Sequence, residues 1–266
     1  MKKTKIGIVG CGAIGLQVAK VIETRFKNKA ELTAICDIDQ IKIDNFLSRI
    51  KSAPDVCSLK DLIKKSDFVV EAASAAVCAE VARLVLLAGK SVLVMSVGGL
   101  LKAVSVFSLA RKGKGRLYIP SGALAGIDAL KAASVAQIDK ITLTTKKSPQ
   151  ALAGAPYLTK NNIDISSIKE ETAVFEGTAE EAVGGFPKNI NVAATLSLFC
   201  DVCVRIIAVP GLKTNIHEIE AQGGFGKLFT RTENMPSPDN PKTSYLAALS
   251  AIATLESALD NVKIGT

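Results

Sequence analysis

One histidine stands in the chain, His217, within Asn215-Ile216-His217-Glu218-Ile219. Imidazole exchanges protons near neutral pH, which makes it the natural acid–base group for an enzyme that oxidises an amine or an alcohol. Counted by twos, His217 shares a strand face with Ile219 and Ala221, a setting that equally suits a structural histidine. Near the start of the chain, Gly10-Cys11-Gly12-Ala13-Ile14-Gly15 matches the spacing G-x-G-x-x-G. Gly10 permits a tight turn, Gly12 lets the backbone approach a pyrophosphate, and Gly15 lets a helix pack close to a strand. Ala13 and Ile14 open that helix, whose unpaired N–H groups and positive dipole end suit phosphates. Asp37 follows Gly15 by 22 residues, where a carboxylate hydrogen-bonds ribose hydroxyls. Such a carboxylate repels a 2′-phosphate, so NAD is the preferred cofactor, with NADP open because Lys42 is near. Six cysteines (Cys11, Cys36, Cys57, Cys78, Cys200 and Cys203) offer no metal set. Cys200 and Cys203 form a lone C-x-x-C in an apolar stretch, read as two core thiols.

The elements that must position these groups follow from periodicity. Lys5–Val9 reads as a short apolar strand and Leu16–Ile22 as a helix after the glycines, with a second strand over Glu31–Cys36 ending at Asp37. Asp67–Glu71 and Ser91–Met95 read as buried parallel strands, and Arg116–Ile119 as a further strand stopped by Pro120. Helical patterns cover Leu59–Lys65, Ala75–Ala88 and Ala103–Lys112. The alternation predicts a Rossmann-type, doubly wound parallel sheet. Ligands bind past the carboxyl ends of such strands, so Ala72-Ala73-Ser74 and Ser96–Gly99 are expected to line the cofactor crevice. After Pro120 the pattern changes. A helix is expected over Ala129–Ala136, and strands over Lys140–Thr145 and Glu171–Gly177. An apolar helix runs to Phe199, and strands over Val202–Val209, Thr214–Gln222 and Lys227–Thr232 read as antiparallel hairpins. Pro236, Pro238 and Pro241 read as a linker before a final helix, Ser244–Leu259. The expected division is a dinucleotide-binding domain of residues 1–120 and 238–266 and a catalytic and dimerisation domain of residues 121–237. A sheet with one apolar face left over predicts a homodimer through that second domain.

Composition narrows the function classes. The chain has 266 residues, 48% hydrophobic and 22% charged, so a sizeable core and one or two domains are expected. The net charge of +8 does not point to nucleic acid. No run of three basic residues occurs, and three Tyr and no Trp leave little for base stacking. Mean hydropathy is high, +0.30, yet Arg83, Lys90 and Lys102 interrupt the richest apolar region, so no membrane span is expected. Lys2 and Lys3 before Cys11 imitate a lipoprotein signal. The apolar run Ile6–Gly10 is too short for one, and the expected compartment is the cytoplasm.

Four segments carry a resemblance to the L-aspartate dehydrogenase family: Gly10–Gly15; PSGALAGIDA at 120–129; GTAEEAVGGFPKNINVAA at 177–194; and Asn215-Ile216-His217 with NMPSPDNPKTS at 234–244. The resemblance implies a Rossmann domain, an α+β catalytic domain and a C-terminal helix returning to the first. It implies His217 as the catalytic residue, and nicotinamide contacts from Ala123 and from either Asn189 or Asn191. Two departures separate the chain from related families. Dihydrodipicolinate reductases carry paired histidines, and sugar dehydrogenases of the glucose–fructose oxidoreductase type carry Glu-Lys-Pro where this chain has Met95-Ser96-Val97-Gly98. The activity so implied is NAD(P)-dependent oxidation of L-aspartate to iminoaspartate, then oxaloacetate and ammonia, or the reverse, with the imine able to feed pyridine nucleotide biosynthesis. Two substrate carboxylates then need cations, for which Lys188, Lys227 and Arg231 are candidates. Two alternatives stay open: a dehydrogenase of the same plan acting on another amino acid or hydroxy acid, and a nucleotide-sensing regulator without chemistry.

Overall fold

Alternating apolar strands and amphipathic helices close the first 120 residues into a doubly wound sheet. Its elements, in the computed structural model, are β1 (Thr4–Val9), α1 (Ala13–Glu23), β2 (Ala30–Cys36), α2 (Gln40–Leu47), β3 (Asp55–Val56), α3 (Leu59–Lys65), β4 (Phe68–Glu71), α4 (Ala75–Leu87), β5 (Ser91–Val94), α5 (Val104–Lys112) and β6 (Leu117–Tyr118). The structure describes residues 2–186, 190–238 and 240–265. The sheet order is β3-β2-β1-β4-β5-β6, all pairs parallel. Chain direction across the sheet reverses between β1 and β4, the topological switch point at which such folds bind ligands. Strand residues feed two layers. Ile6, Ile8, Val70 and Leu93 pack with Leu16, Ile22 and Phe46 on one side. Val69, Val92 and Val94 pack with Leu62, Val81 and Val85 on the other. Helix α2 escapes a reading by apolar spacing, but Asp39 caps it by accepting from the Ile41 and Lys42 N–H groups.

The second unit contains α6 (Ile127–Ala133), β7 (Ile138–Lys147), α7 (Pro149–Leu152), α8 (Pro156–Lys160), β8 (Thr172–Thr178), α9 (Ala179–Gly185), α10 (Ile190–Leu196), β9 (Val202–Ala208), β10 (Asn215–Gly223) and β11 (Gly226–Asn234). Its five strands run β11-β10-β7-β9-β8. The expected succession of hairpins holds for β10 and β11. It fails for β9, which lies parallel to β7 and is separated from β10 by it. A Pro-Gly turn therefore does not join neighbours here; β7 inserts because its long β-branched run buries best at the centre. One face packs Ile141, Leu143, Val204, Ile206 and Ile219 under Leu130, Leu152, Phe186 and Leu196. A capping box between Thr178 and Glu181 starts α9. The expected proline linker instead forms β12 (Pro236–Ser237) and β13 (Asn240–Ser244), an antiparallel pair.

The opposite sheet face is not the apolar surface that the sequence suggested. It carries ion pairs, Arg231 with Glu218 and Glu233 at 2.8 and 2.7 Å, Lys146 with Glu171 at 2.9 Å, and Arg205 with Glu176 at 3.1 Å. Phe229 stands exposed among them. Strand alternation explains this: the even positions of β7 and β10, and the odd positions of β11 that lie beside them, are mostly charged or hydroxylated.

The last helix, α11 (Tyr245–Leu259), is divided between the units. The chain through Pro120 together with Ala248–Lys263 forms one compact unit, and Ser121–Ala247 forms the bulk of the other. The second crossing thus falls inside α11 rather than at residue 238. Ala251 and Leu255 are fully buried against the first unit's core. Arg25 and Lys29 bind Glu256 and Asp260 on the helix's outer side. Among the described residues, no helix is long and apolar enough to cross a membrane.

Candidate active site

The glycines of the first unit each meet a distinct steric demand. Gly10 has φ +102°, and a Cβ there would lie 2.5 Å from the backbone of Ala72. Only glycine both adopts that angle and admits that approach. A Cβ at Gly15 would lie 2.2 Å from the Gly10 carbonyl oxygen, so helix and strand pack without a side chain between them. At Gly12 a Cβ would meet nothing within 4 Å. The N-terminus of α1 carries no side-chain cap and no acid in its first turn. Open space beside uncapped N–H groups fits a pyrophosphate; Gly12, Ala13 and Ile14 would border it.

Asp37, at the end of β2, turns inward to this loop. Its carboxylate accepts from the Cys11 N–H at 2.7 Å and from the Asp39 N–H at 3.0 Å. Both oxygens retain lone pairs for ribose hydroxyls. Burial, then the charge of Asp37, pushes the Cys11 thiol up to about 12, so it is a packing residue and not a nucleophile.

Glu71 is a functional candidate that the sequence reading missed. It ends β4 fully buried. Its carboxylate accepts from the Ala73 N–H at 2.9 Å, the Ser96 hydroxyl at 2.9 Å and the Ser96 N–H at 3.1 Å. Burial raises its pKa, and these donors oppose the rise. Glu71 thereby ties the loop after β4 to the loop after β5, holding the exposed Ala73 and Ser74 at the carboxyl end of the sheet. The available signal was a single acid closing an otherwise apolar strand.

In the second unit, His217 is 5% exposed on the inner face of β10. It pairs across to Thr145 of β7 and Thr232 of β11. The Thr145 Oγ1 lies 3.0 Å from His217 Nδ1, fixing the ring and leaving Nε2 as the other nitrogen. Burial, and secondarily the charge of Lys147, lower the imidazole pKa to about 3. The ring is therefore neutral throughout the physiological range, in place of the near-neutral titration expected from its type. Lys147 itself is 8% exposed, and burial lowers its pKa to about 8. Sequence reading passed over Thr145 and Lys147; the signal was their shared parity with Leu143 on one strand.

The remaining candidates divide. Ala123 is buried, and its carbonyl accepts from the Thr232 hydroxyl at 3.0 Å and the Asn234 amide at 3.1 Å. The loop carrying it is thus pinned to the strand beside His217. Asn191 is exposed on α10, its carbonyl accepting from Thr195. Lys188 and Asn189 lie outside the described residues. Arg231 and Lys227 sit at positions of β11 that alternate with Thr232, on the face away from His217. Arg231 is engaged by Glu218 and Glu233, so the expected substrate grip by Arg231 is not what the structure builds. Among the described residues no cluster of three or more His, Cys, Asp or Glu could hold a metal.

Comparison with known proteins adds independent weight. Residues 128–258 match the family profile described as "Aspartate dehydrogenase, C-terminal", and residues 10–120 match "Homoserine dehydrogenase, NAD binding domain". An L-aspartate dehydrogenase from Methanosarcina mazei is 47% identical over 98% of this chain and 99% of its own length. One from Methanococcus maripaludis is 41% identical with the same coverage. The crystal structure of aspartate dehydrogenase from Thermotoga maritima superposes with a TM-score of 0.75 at 26% identity, covering 99% of this chain and all of that one. Full-length identity at this level, over both the glycine loop and the strand that carries His217, places the chain in the L-aspartate dehydrogenase family.

Proposed function

We propose that the protein oxidises L-aspartate with NAD, or NADP, as hydride acceptor, and that His217 moves the protons. Overall, L-aspartate, NAD⁺ and water give oxaloacetate, ammonium, NADH and one proton, and the reverse amination uses the same groups. A bound nicotinamide dinucleotide supplies the acceptor for the hydride of the substrate Cα–H. Gly10, Gly12 and Gly15 admit its pyrophosphate, and Asp37 accepts from the adenosine ribose. Asp37 favours a free 2′-hydroxyl, so NAD is the better partner.

The observation that carries the reading is the Thr145–His217 hydrogen bond on a buried sheet face. As base, His217 donates its Nδ1–H to Thr145 Oγ1 and keeps the Nε2 lone pair free. It takes a proton from the water that adds to the imine carbon. It returns that proton to the nitrogen of the resulting carbinolamine, then takes the carbinolamine hydroxyl proton as the C=O forms, the C–N bond breaks and ammonia leaves. A bound dicarboxylate brings negative charge to the ring and raises its basicity above that of the free protein. Nicotinamide contacts from Ala123 and from Asn189 or Asn191 belong to the same reading.

The reading includes a homodimer across the outer sheet face, polar rather than apolar in character, and a cytoplasmic setting in which the six free thiols persist. A monomeric mass by light scattering at micromolar concentration overturns the dimer. The chemistry is tested by following NADH absorbance with a panel of amino and hydroxy acids. L-Aspartate is expected to be the preferred substrate. Preference for another acid redirects the substrate assignment, and nucleotide binding without turnover of any acid overturns the enzyme reading.

A further inference from the structure

We propose that Lys147 is the cation that receives a carboxylate of the dicarboxylate substrate beside His217. The inference rests on the functional reading above and names a binding residue that reading lacks. Two substrate carboxylates need positive partners, and of the candidates suggested by the sequence, the two that lie among the described residues do not supply one on the histidine's face. Lys227 and Arg231 alternate with Thr232 along β11 and point to the outer, ion-paired face.

Lys147 is placed otherwise. On β7 it has the parity of Leu143 and Thr145, whose side chains enter the buried layer. Thr145 stands directly across from His217, so Lys147, two residues further, is the diagonal cross-strand neighbour of the histidine. Diagonal positions lie roughly 7–8 Å apart, within reach of a long side chain. A four-carbon dicarboxylate can then set its reacting carbon beside the imidazole while a carboxylate meets the ammonium. Lys147 and His217 are both buried on this face of the sheet.

Burial gives the second argument. Among the described residues Lys147 is the one lysine or arginine that is buried. A cation held on the histidine's face in a water-poor layer is placed to meet an anionic substrate group. There a fixed cation is worth more than at the surface, and an analogue without a negative charge at the matching atom is rejected.

The test compares Lys147→Met, close in volume but uncharged, with Lys147→Arg and Lys147→Gln. Steady-state KM and kcat are measured for L-aspartate and L-asparagine, alongside NADH titration. Lys147→Met is expected to raise the KM for L-aspartate by roughly 10²-fold, the effect of removing one partner from a buried charge pair. kcat at saturation and NADH affinity should stay within a few-fold of wild type. Lys147→Arg should recover much of the loss, and Lys147→Gln should not. A collapse of the preference for L-aspartate over L-asparagine assigns the side-chain carboxylate to Lys147, and an equal loss with both assigns the α-carboxylate; either supports the proposal. A folded Lys147→Met or Lys147→Gln variant whose KM for L-aspartate stays within about threefold of wild type overturns it. So does a loss confined to kcat, which marks a residue acting only through His217. The two readings fail separately. If His217→Ala loses turnover while Lys147→Met keeps wild-type KM, only the lysine assignment falls. If wild type does not oxidise L-aspartate, the functional reading falls first.

Discussion

The nucleotide end of the first unit and the histidine face of the second are built from opposite materials. The first uses backbone: glycines at Gly10, Gly12 and Gly15, uncapped helix N–H groups, and Asp37 and Glu71 tying loops together. The second uses side chains from strands far apart in the chain, as Thr145 and His217 are, 72 residues from each other. A backbone site binds what every dinucleotide shares, and its shape tolerates little change. A side-chain site sets which proton moves and which substrate is held, at the cost of burying groups that would rather be charged in water. Substitutions should therefore separate binding of the nucleotide from turnover of the substrate.

The largest separation is expected at His217. General acid–base groups contribute roughly 10²–10⁴-fold to rate. His217→Ala should lose about that much kcat with L-aspartate while NADH titration matches wild type. A merely structural histidine predicts a lowered melting temperature with modest kinetic loss. Near-normal kcat in a well-folded variant removes His217 from the mechanism.

The next effect is one of stability, and it has the opposite sign to the loss of function. Burial lowers the Lys147 pKa from 10.5 to about 8, and each pKa unit corresponds to ~1.4 kcal/mol. A neutral side chain escapes that penalty, so Lys147→Met is expected to be more stable than wild type near neutral pH. The sign with pH follows. Below pH 8 the lysine is charged in both folded and unfolded chains, and the folded one bears the full penalty. Between pH 8 and 10.5 the unfolded chain binds more protons, so wild-type stability rises and the gap closes. Urea unfolding of both proteins across this range measures it. A variant less stable than wild type at pH 7 means the ammonium is a net structural asset, and the comparison between the two sites loses its premise.

Legibility in the sequence follows the same divide. The parallel sheet and the glycine loop could be read because neighbouring residues specify them: strand, G-x-G-x-x-G, helix, then an acid at a fixed distance. The inner face of the second unit could not be read this way. Nothing local to Ile141–Lys147 announces that β9 will lie parallel beside it, and the Lys146-Lys147 pair gives no hint that its second member is enclosed. His217 stood out only by being alone of its type, and its depressed pKa depends on layers contributed by other elements. The apolar outer face expected for dimerisation failed for a related reason. Alternation showed that one face is buried, but the other had to be read position by position to find Glu218, Arg231 and Lys146 on it.

Two glycines sharpen the backbone side of the comparison. Gly12→Ala adds a methyl to open space, so the melting temperature should barely move while NADH affinity falls by about tenfold or more. Gly15→Ala drives its Cβ into the Gly10 carbonyl, so stability should fall along with affinity, by about 1–3 kcal/mol as for other overpacked sites. If Gly12→Ala binds NADH normally, the pyrophosphate does not pass over α1.

The smallest effect tests cofactor choice at Asp37. The carboxylate has two tasks: it accepts from the Cys11 and Asp39 N–H groups, and it would accept from a ribose hydroxyl while repelling a 2′-phosphate. Asp37→Ala removes both and confounds them. Asp37→Asn keeps an acceptor oxygen for the loop and removes the charge. Turning a charged hydrogen bond to ribose into a neutral one costs about 1 kcal/mol, so Asp37→Asn should weaken NAD by roughly fivefold. NADP gains from the lost repulsion what it loses in contact, and its affinity should hold or improve. The NAD-to-NADP ratio of dissociation constants therefore moves toward one or inverts, while the melting temperature falls less than in Asp37→Ala. If both cofactors weaken equally in Asp37→Asn, the carboxylate serves only the loop, and discrimination lies with other residues.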